Sequence, residues 1–266
     1  MSKKEYFTKF PNNYIQSDIV KQLGISRKFY ITYLLIDKYR SYEDYSWITI
    51  KKIFEFYGYQ TSSHKPKSFY EILDVLEYMI NNKMIEVMQP LDSLNYDSGI
   101  EIKIIPDNFD SKEKFTMLTT SEFNNIMMAE SSINKENLLL AYLYISSYIG
   151  CRSEYGLQNP EKNPNAFFKS LDQMSKDITM SSKTITECIE YLITSTDSRN
   201  SLLIKEETGT YTDPKTKMPK KYPNIYVKNE PGYKDEIKWA LNKMVEIYKD
   251  NTSDKKQKTK NKKENK

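Results

Sequence analysis

Residues 67–82, KSFYEILDVLEYMINN, place Phe69, Ile72, Leu73, Leu76, Met79 and Ile80 at i, i+3, i+4, i+7, i+10 and i+11. That spacing predicts a helix with a single buried face. Two β-type runs follow, Met84–Met88 and Ile100–Ile105, around a turn-rich loop that ends in Asp97-Ser98-Gly99. Upstream, Phe29, Tyr33 and Ile36, with Tyr30 and Leu34, form a helical stripe over Arg27–Arg40. The β-branched run Trp47-Ile48-Thr49-Ile50 reads as a short strand. A helix over Ile50–Tyr57 stops at Gly58, and the polar linker Gln60–Pro66 leads back to the quoted stretch.

The order occurs again about a hundred residues later. Thr119-x-x-Glu122 is a capping box opening a helix over Glu122–Met128. Lys135–Ile149 reads as a long helix with Leu138, Tyr142, Ile145 and Tyr148/Ile149 on one face. The Gly-, Pro- and Asn-rich loop Cys151–Asn165 leads to a short helix over Phe167–Lys176. Ser181 or Ser182 caps a helix through Thr194 that turns Ile185, Cys188, Ile189 and Leu192 inward. Strands at Leu202–Glu207 and Asn224–Lys228 bracket a loop with Pro214 and Pro219. Helix, strand, helix, turn, helix and hairpin is the order of a winged helix-turn-helix, and its recurrence strengthens each assignment.

The expected fold is therefore α+β and helix-rich, with two tandem winged helix-turn-helix domains plus a C-terminal helix. The first domain spans 1–110 and the second 111–232. The helix, 233–250, sets Ile237, Leu241, Met244 and Tyr248 on one side, to dock on the second domain or a partner. Residues 251–266, polar and Lys-rich with no apolar period, are expected to be a disordered tail.

The 266 residues suffice for two domains, and 40 Lys+Arg face 36 Asp+Glu. Net charge is −1 over 1–110, 0 over 111–250 and +5 over 251–266, so the surplus sits in the tail. A balanced folded part argues against indiscriminate coating of DNA. Cys151, Cys188 and His64 are too few soft ligands for a structural zinc site, and no Gly precedes a Lys, so there is no P-loop. No catalytic constellation, cofactor or metal site is expected, and the reading is of a non-enzyme. The start MSKKEYF has no apolar h-region, and the longest apolar run is Leu138–Ile145. A reduced, cytoplasmic protein without membrane contact is the expectation.

A winged helix lays its last helix in the major groove while the wing reaches the backbone. At the start of the second such helix, Ser181, Ser182, Lys183, Thr184 and Thr186 are hydroxyl donors plus a cation, suited to phosphates and base edges. The wing Gly209–Pro223 holds Lys215, Lys217, Lys220 and Lys221 against Asp213 alone, with Tyr211 and Tyr222 among them. Helix capping and a solvated Lys-rich loop are the plainer readings of the same residues. In the first domain Lys65, Lys67 and Tyr70 are the candidate DNA contacts. Glu71, Asp74 and Glu77 follow on the exposed side, where they repel a backbone. The first wing, Pro90–Gly99, combines Asp92 and Asp97 with Leu91, Leu94 and Tyr96, a composition that suits dimerisation.

Three segments carry a resemblance: Phe7-Thr8-Lys9-Phe10-Pro11, Tyr33-Leu34-Leu35-Ile36-Asp37-Lys38 and Pro223-Asn224-Ile225-Tyr226-Val227. In these the chain resembles replication initiators of low-GC Gram-positive plasmids and phages, the RepA N-terminal family. The resemblance implies recognition of repeated origin sites and recruitment of host replication proteins; with the two modules and the first wing, the expectation is a sequence-specific double-stranded DNA-binding protein on repeated or two-half-site elements, with a homodimer as a partner state. A transcriptional regulator and a protein-interaction adaptor without DNA contact are the alternatives the residues leave open.

Overall fold

The computed structural model describes residues 6–16, 23–62, 64–109, 114–129, 132–149, 165–196, 200–213 and 216–261, with side chains up to 247. The architecture is α+β, with small antiparallel sheets among the helices. Contacts divide the chain into two compact units, Met1–Ser147 with Ser175–Tyr191, and Tyr148–Met174 with Leu192–Lys266. This division cuts across the two sequence halves. Cys151 and Lys215 lie outside the described residues. No helix among the described residues is long and apolar enough to cross a membrane.

The first unit begins with β1 (Phe7–Pro11), α1 (Asn12–Gln16), α2 (Lys28–Lys38), β2 (Tyr45–Thr49), α3 (Ile50–Tyr57) and α4 (Lys67–Asn81). It continues with β3 (Ile85–Val87), β4 (Gly99–Ile104), α5 (Pro106–Phe109), β5 (Phe115–Thr119), α6 (Thr120–Met127) and α7 (Lys135–Tyr148). Strand order in its main sheet is β2-β4-β3, so the first strand of the half lies against the last. The single face predicted for α4 holds: Phe69, Ile72, Val75, Leu76 and Met79 are buried.

One expectation fails here. Neither α2 nor α7 has a single apolar stripe. Every residue from Lys28 to Asp37 is buried, as is every residue from Leu138 to Ser146. Helices covered on all sides form the centre of the unit, around an aromatic cluster in which Phe10 touches Phe29, Tyr30 and Tyr33 and Tyr33 stacks on Phe109. The unit also holds a strand pair that the sequence pattern does not announce. Phe7–Pro11 and Phe115–Thr119 pair antiparallel, Phe7 opposite Thr119 and Pro11 opposite Phe115. The opening strand of each half is thus completed by the other half. The predicted capping box is present, with Thr119 and Glu122 bonded reciprocally.

At the N-terminal ends of α2 and α7 lies a buried charge cluster. Lys28 Nζ is 2.7 Å from Glu136 and 3.2 Å from Glu71, and sits over the rings of Tyr57 and Tyr59. Burial pulls the Lys28 ammonium down, but Glu136 and Glu71 more than offset this and leave it above its ordinary value. Burial, with Glu136 nearby, drives the Tyr57 hydroxyl well upward. Next to it Arg27 bonds Asn137 and the carbonyls of Ile178 and Thr179.

The second unit holds β6 (Leu203–Glu206), β7 (Thr210–Thr212), β8 (Pro219–Lys221), β9 (Ile225–Lys228) and α10 (Tyr233–Asn261). Between the units' stretches of chain run α8 (Leu171–Asp177) and α9 (Ser182–Ile193). Phe167, expected to open a helix, forms instead a bridge to Tyr226. The C-terminal helix docks within its own unit: Ala240 and Met244 join Ala166, Ile225 and Val227, with Ile237, Trp239 and Leu241 packed around them. It runs on to Asn261, past the expected boundary at 250 and into the segment read as a disordered tail.

Replacing Lys28 by Met leaves Glu136 buried without its cation and should cost about 3–5 kcal/mol in urea unfolding, whereas Lys28→Met with Glu136→Leu should recover most of that loss. Alkali acts through Cys188, whose thiol is pushed from 9.0 to about 12 by burial and by Glu187, against a lowering by Arg27. The unfolded chain gives up this proton near pH 9 while the folded chain keeps it to about 12. The unfolded state thus binds fewer protons in that window and stability falls as pH rises through it. Cys188→Ala should show a shallower decline between pH 9 and 12 than the parent.

Candidate nucleic-acid interface

Four strands of the second unit act as one. The register that pairs Leu203 with Lys228 and Glu206 with Ile225 also pairs Thr210 with Lys221 and Thr212 with Pro219. Between the two ladders, Tyr222 N–H donates to the Gly209 carbonyl, and the Thr208 hydroxyl donates to the carbonyls of Tyr222 and Pro223. Residues 203–228 are therefore a single antiparallel arm, roughly 30 Å from root to tip at strand spacing. Its root is buried through Leu203, Ile225, Tyr226 and Val227, and its outer half is exposed. Sequence reading found the hairpin but not its length, because only the outer ladder's polar residues separate the two buried ends.

Asp213 organises the tip. It is 8 % exposed, its side chain accepts from the Thr216 N–H and takes the Lys220 ammonium, and its own N–H donates to Met218 O. Lys217, at φ +60°, returns an N–H to Asp213 O. Bonding to Asp213 holds the Lys220 ammonium above its ordinary value. Of the predicted wing cations, Lys220 is thus engaged inside the arm, while Lys217 and Lys221 stand exposed. Tyr222 stacks on Tyr211 with centroids 4.8 Å apart, so its ring supports the arm. Met218, 64 % exposed at the tip, escaped the sequence reading, although a lone apolar residue inside a run of lysines was its signal.

The start of α9 belongs to the other unit. Ser181 is its N-cap, its oxygen accepting from the Thr184 N–H at 3.1 Å and lying 2.8 Å from the Thr184 hydroxyl. One hydroxyl proton is used within that pair, and the other is left to donate outward. Thr186 donates its proton to the Ser182 carbonyl, which leaves it an acceptor. Lys183 is exposed and 3.9 Å from Glu187. Further along, Glu187 and Glu190 are exposed, acidic positions the sequence reading did not weigh. The exposed hydroxyl and cationic groups of α9 are thus confined to its first turn.

Just before α4, the Lys65 ammonium donates to Leu94 O and lies 4.6 Å from the Phe69 ring centroid. Lys67 is exposed and pairs with Glu71, and Tyr70 is 53 % exposed. The loop expected to offer an apolar dimerisation surface does not. Leu94 is buried, and Tyr96 packs edge-on against Phe54 and Phe69. Large side chains that the first half does expose include Tyr42, Met88, at 71 %, and Trp47, at 62 %. Trp47 lies so close over Gly99 that a Cβ there would come within 2.8 Å of its ring. Among the described residues no group of His, Cys, Asp or Glu is arranged to hold a metal.

No protein-family model matches the chain, and no curated protein matches it.

The cap on α9 gives a direct test of the local geometry. Ser181→Ala removes the acceptor for the Thr184 N–H and should lower unfolding stability by about 1 kcal/mol, read from urea midpoints.

Proposed function

We propose that the protein is a sequence-specific double-stranded DNA-binding protein built from two winged-helix modules, and that it serves as a replication initiator of a plasmid or phage. The observation that carries this reading is the arm 203–228, rooted in a core and ending in exposed Lys217 and Lys221. A two-stranded cationic ribbon fits the width of a DNA groove and neutralises phosphates. Support for the modules comes from element order. In the first half a helix, strand, two helices and two strands are followed by strand pairing β2-β4-β3. In the second, α7, the Phe167 bridge, α8, α9, β6 and β9 run in the same sequence, with β9 between Phe167 and β6. In this reading the arm takes the phosphate backbone, and the protein's two modules bind two half-sites about one helical turn apart.

The first half is assigned to protein contact instead. Asp74 and Glu77 are exposed on its α4, and Tyr42, Trp47 and Met88 are among its exposed apolar and aromatic groups. A homodimer or a host replication protein is the proposed partner.

Fragments of the protein's own replicon selected by binding should return clustered short repeats; a lone promoter site would favour a transcriptional regulator. Against the selected site, Lys217→Glu with Lys221→Glu should weaken binding about tenfold or more and reduce the slope of log K against log salt by about 2. No enrichment over random duplex at physiological salt would refute DNA reading and leave the adaptor.

A further inference from the structure

Resting on the DNA-binding reading, we infer that the tip of the arm is a wedge: Met218 enters the minor groove between base pairs and kinks the duplex, while Lys217 and Lys221 hold the flanking phosphates. Three features carry this.

The first is the side chain. Met218 is 64 % exposed at the end of an arm whose other tip residues are polar, charged or proline. Among the described residues, the hydrogen bonds that form the turn use the backbone of Met218 and not its thioether. Apolar wedges between base steps are how minor-groove proteins unstack and bend DNA.

The second is charge. Asp213 is the only acidic residue between 210 and 221, and it is covered and held by Lys220. The tip therefore approaches a polyanion with its carboxylate already neutralised and with Lys217 immediately beside the wedge. Lys217 beside the wedge and Lys221 lower down in β8 suit a duplex, whose phosphate chains flank the minor groove.

The third is rigidity. The tip is fixed by the mutual bonds of Asp213 with Thr216, Lys217, Met218 and Lys220, and the Tyr211–Tyr222 stack stiffens the strands below it. A wedge must push bases apart, and ordering a loose loop at that moment would consume part of the binding energy.

The test uses the full chain and two end-labelled 30-bp duplexes of equal length, one with a central TpA step and one with a central GpC step, read by energy transfer between the ends. TpA steps unstack more readily, so the parent should shorten the end-to-end distance of the TpA duplex more, by a bend of about 20–90°. Met218→Ala should bind within about threefold of the parent with an unchanged melting temperature, yet leave both duplexes straight. Equal bending by Met218→Ala, or saturating binding by the parent without bending, overturns the wedge while leaving DNA binding intact. Absence of duplex binding by the parent even at low salt overturns the DNA reading and the wedge with it. Vesicles of phosphatidylserine are the control: Met218-dependent partition to them without DNA bending would assign the tip to a membrane surface and overturn the proposal.

Discussion

The contact on which the first unit depends is the ion pair of Lys28 with Glu136. Lys28 is the first residue of α2, where a cation faces the positive end of the helix dipole, and it is also withdrawn from water. Both costs are met by carboxylates from elsewhere in the sequence, Glu136 in the first turn of α7 and Glu71 in α4. The cluster therefore clasps the N-terminal ends of two helices that are apolar on every side and would otherwise have no fixed register against one another. Buried apolar surface supplies attraction without direction. The ammonium, which has to lie within reach of two carboxylates and two tyrosine rings, supplies the direction.

Once α2 and α7 are set, the pairing of β1 with β5 follows a related logic. Phe10 and Leu118 point inward from strands that are too short to stand alone, and each half lends the other its opening strand. This interlocking of residues 7–11 with 115–119 lies within the first unit.

This interlocking also explains what could be read from sequence. α4 and α9 were legible because each buries one face, and a one-sided helix writes its orientation into the spacing of Phe69 to Ile80 or Ile185 to Leu192. By contrast, α2 and α7 were recognisable as helices, but not as central ones, because a side chain buried on any face carries no period. β5 was illegible for another reason: its burial alternates, but Thr116 shares the inner face with Leu118 while Phe115 and Met117 take the outer one, so apolarity does not track burial. The error at Leu94 and Tyr96 had a different origin. Both lie in a turn-rich loop that composition marks as exposed, and only the fold brings Phe54 and Phe69 beneath Tyr96. Of the candidate site, the residue types were legible and their partners were not. Composition counts Lys220 and Asp213 as two charges, whereas the fold converts them into one neutral bracket.

That bracket alters what the arm's charge means. A loop with four lysines and one aspartate looks like a diffuse basic surface, and in a lysine-rich chain such a surface says little about function. A loop in which the single aspartate is buried to fix the turn, and the cation nearest the apolar tip is left exposed, has a direction. Its stability is carried by Asp213, Thr208 and the Tyr211–Tyr222 stack, so the exposed side chains of Lys217, Met218 and Lys221 are not needed to hold the arm together. Side chains that a fold does not need, held at the end of a structure that the fold takes trouble to stiffen, are where contact with a partner is to be sought. By the same argument the first turn of α9 offers less, since the Thr186 hydroxyl proton and one of the Ser181 and Thr184 pair are already committed to the helix's own start.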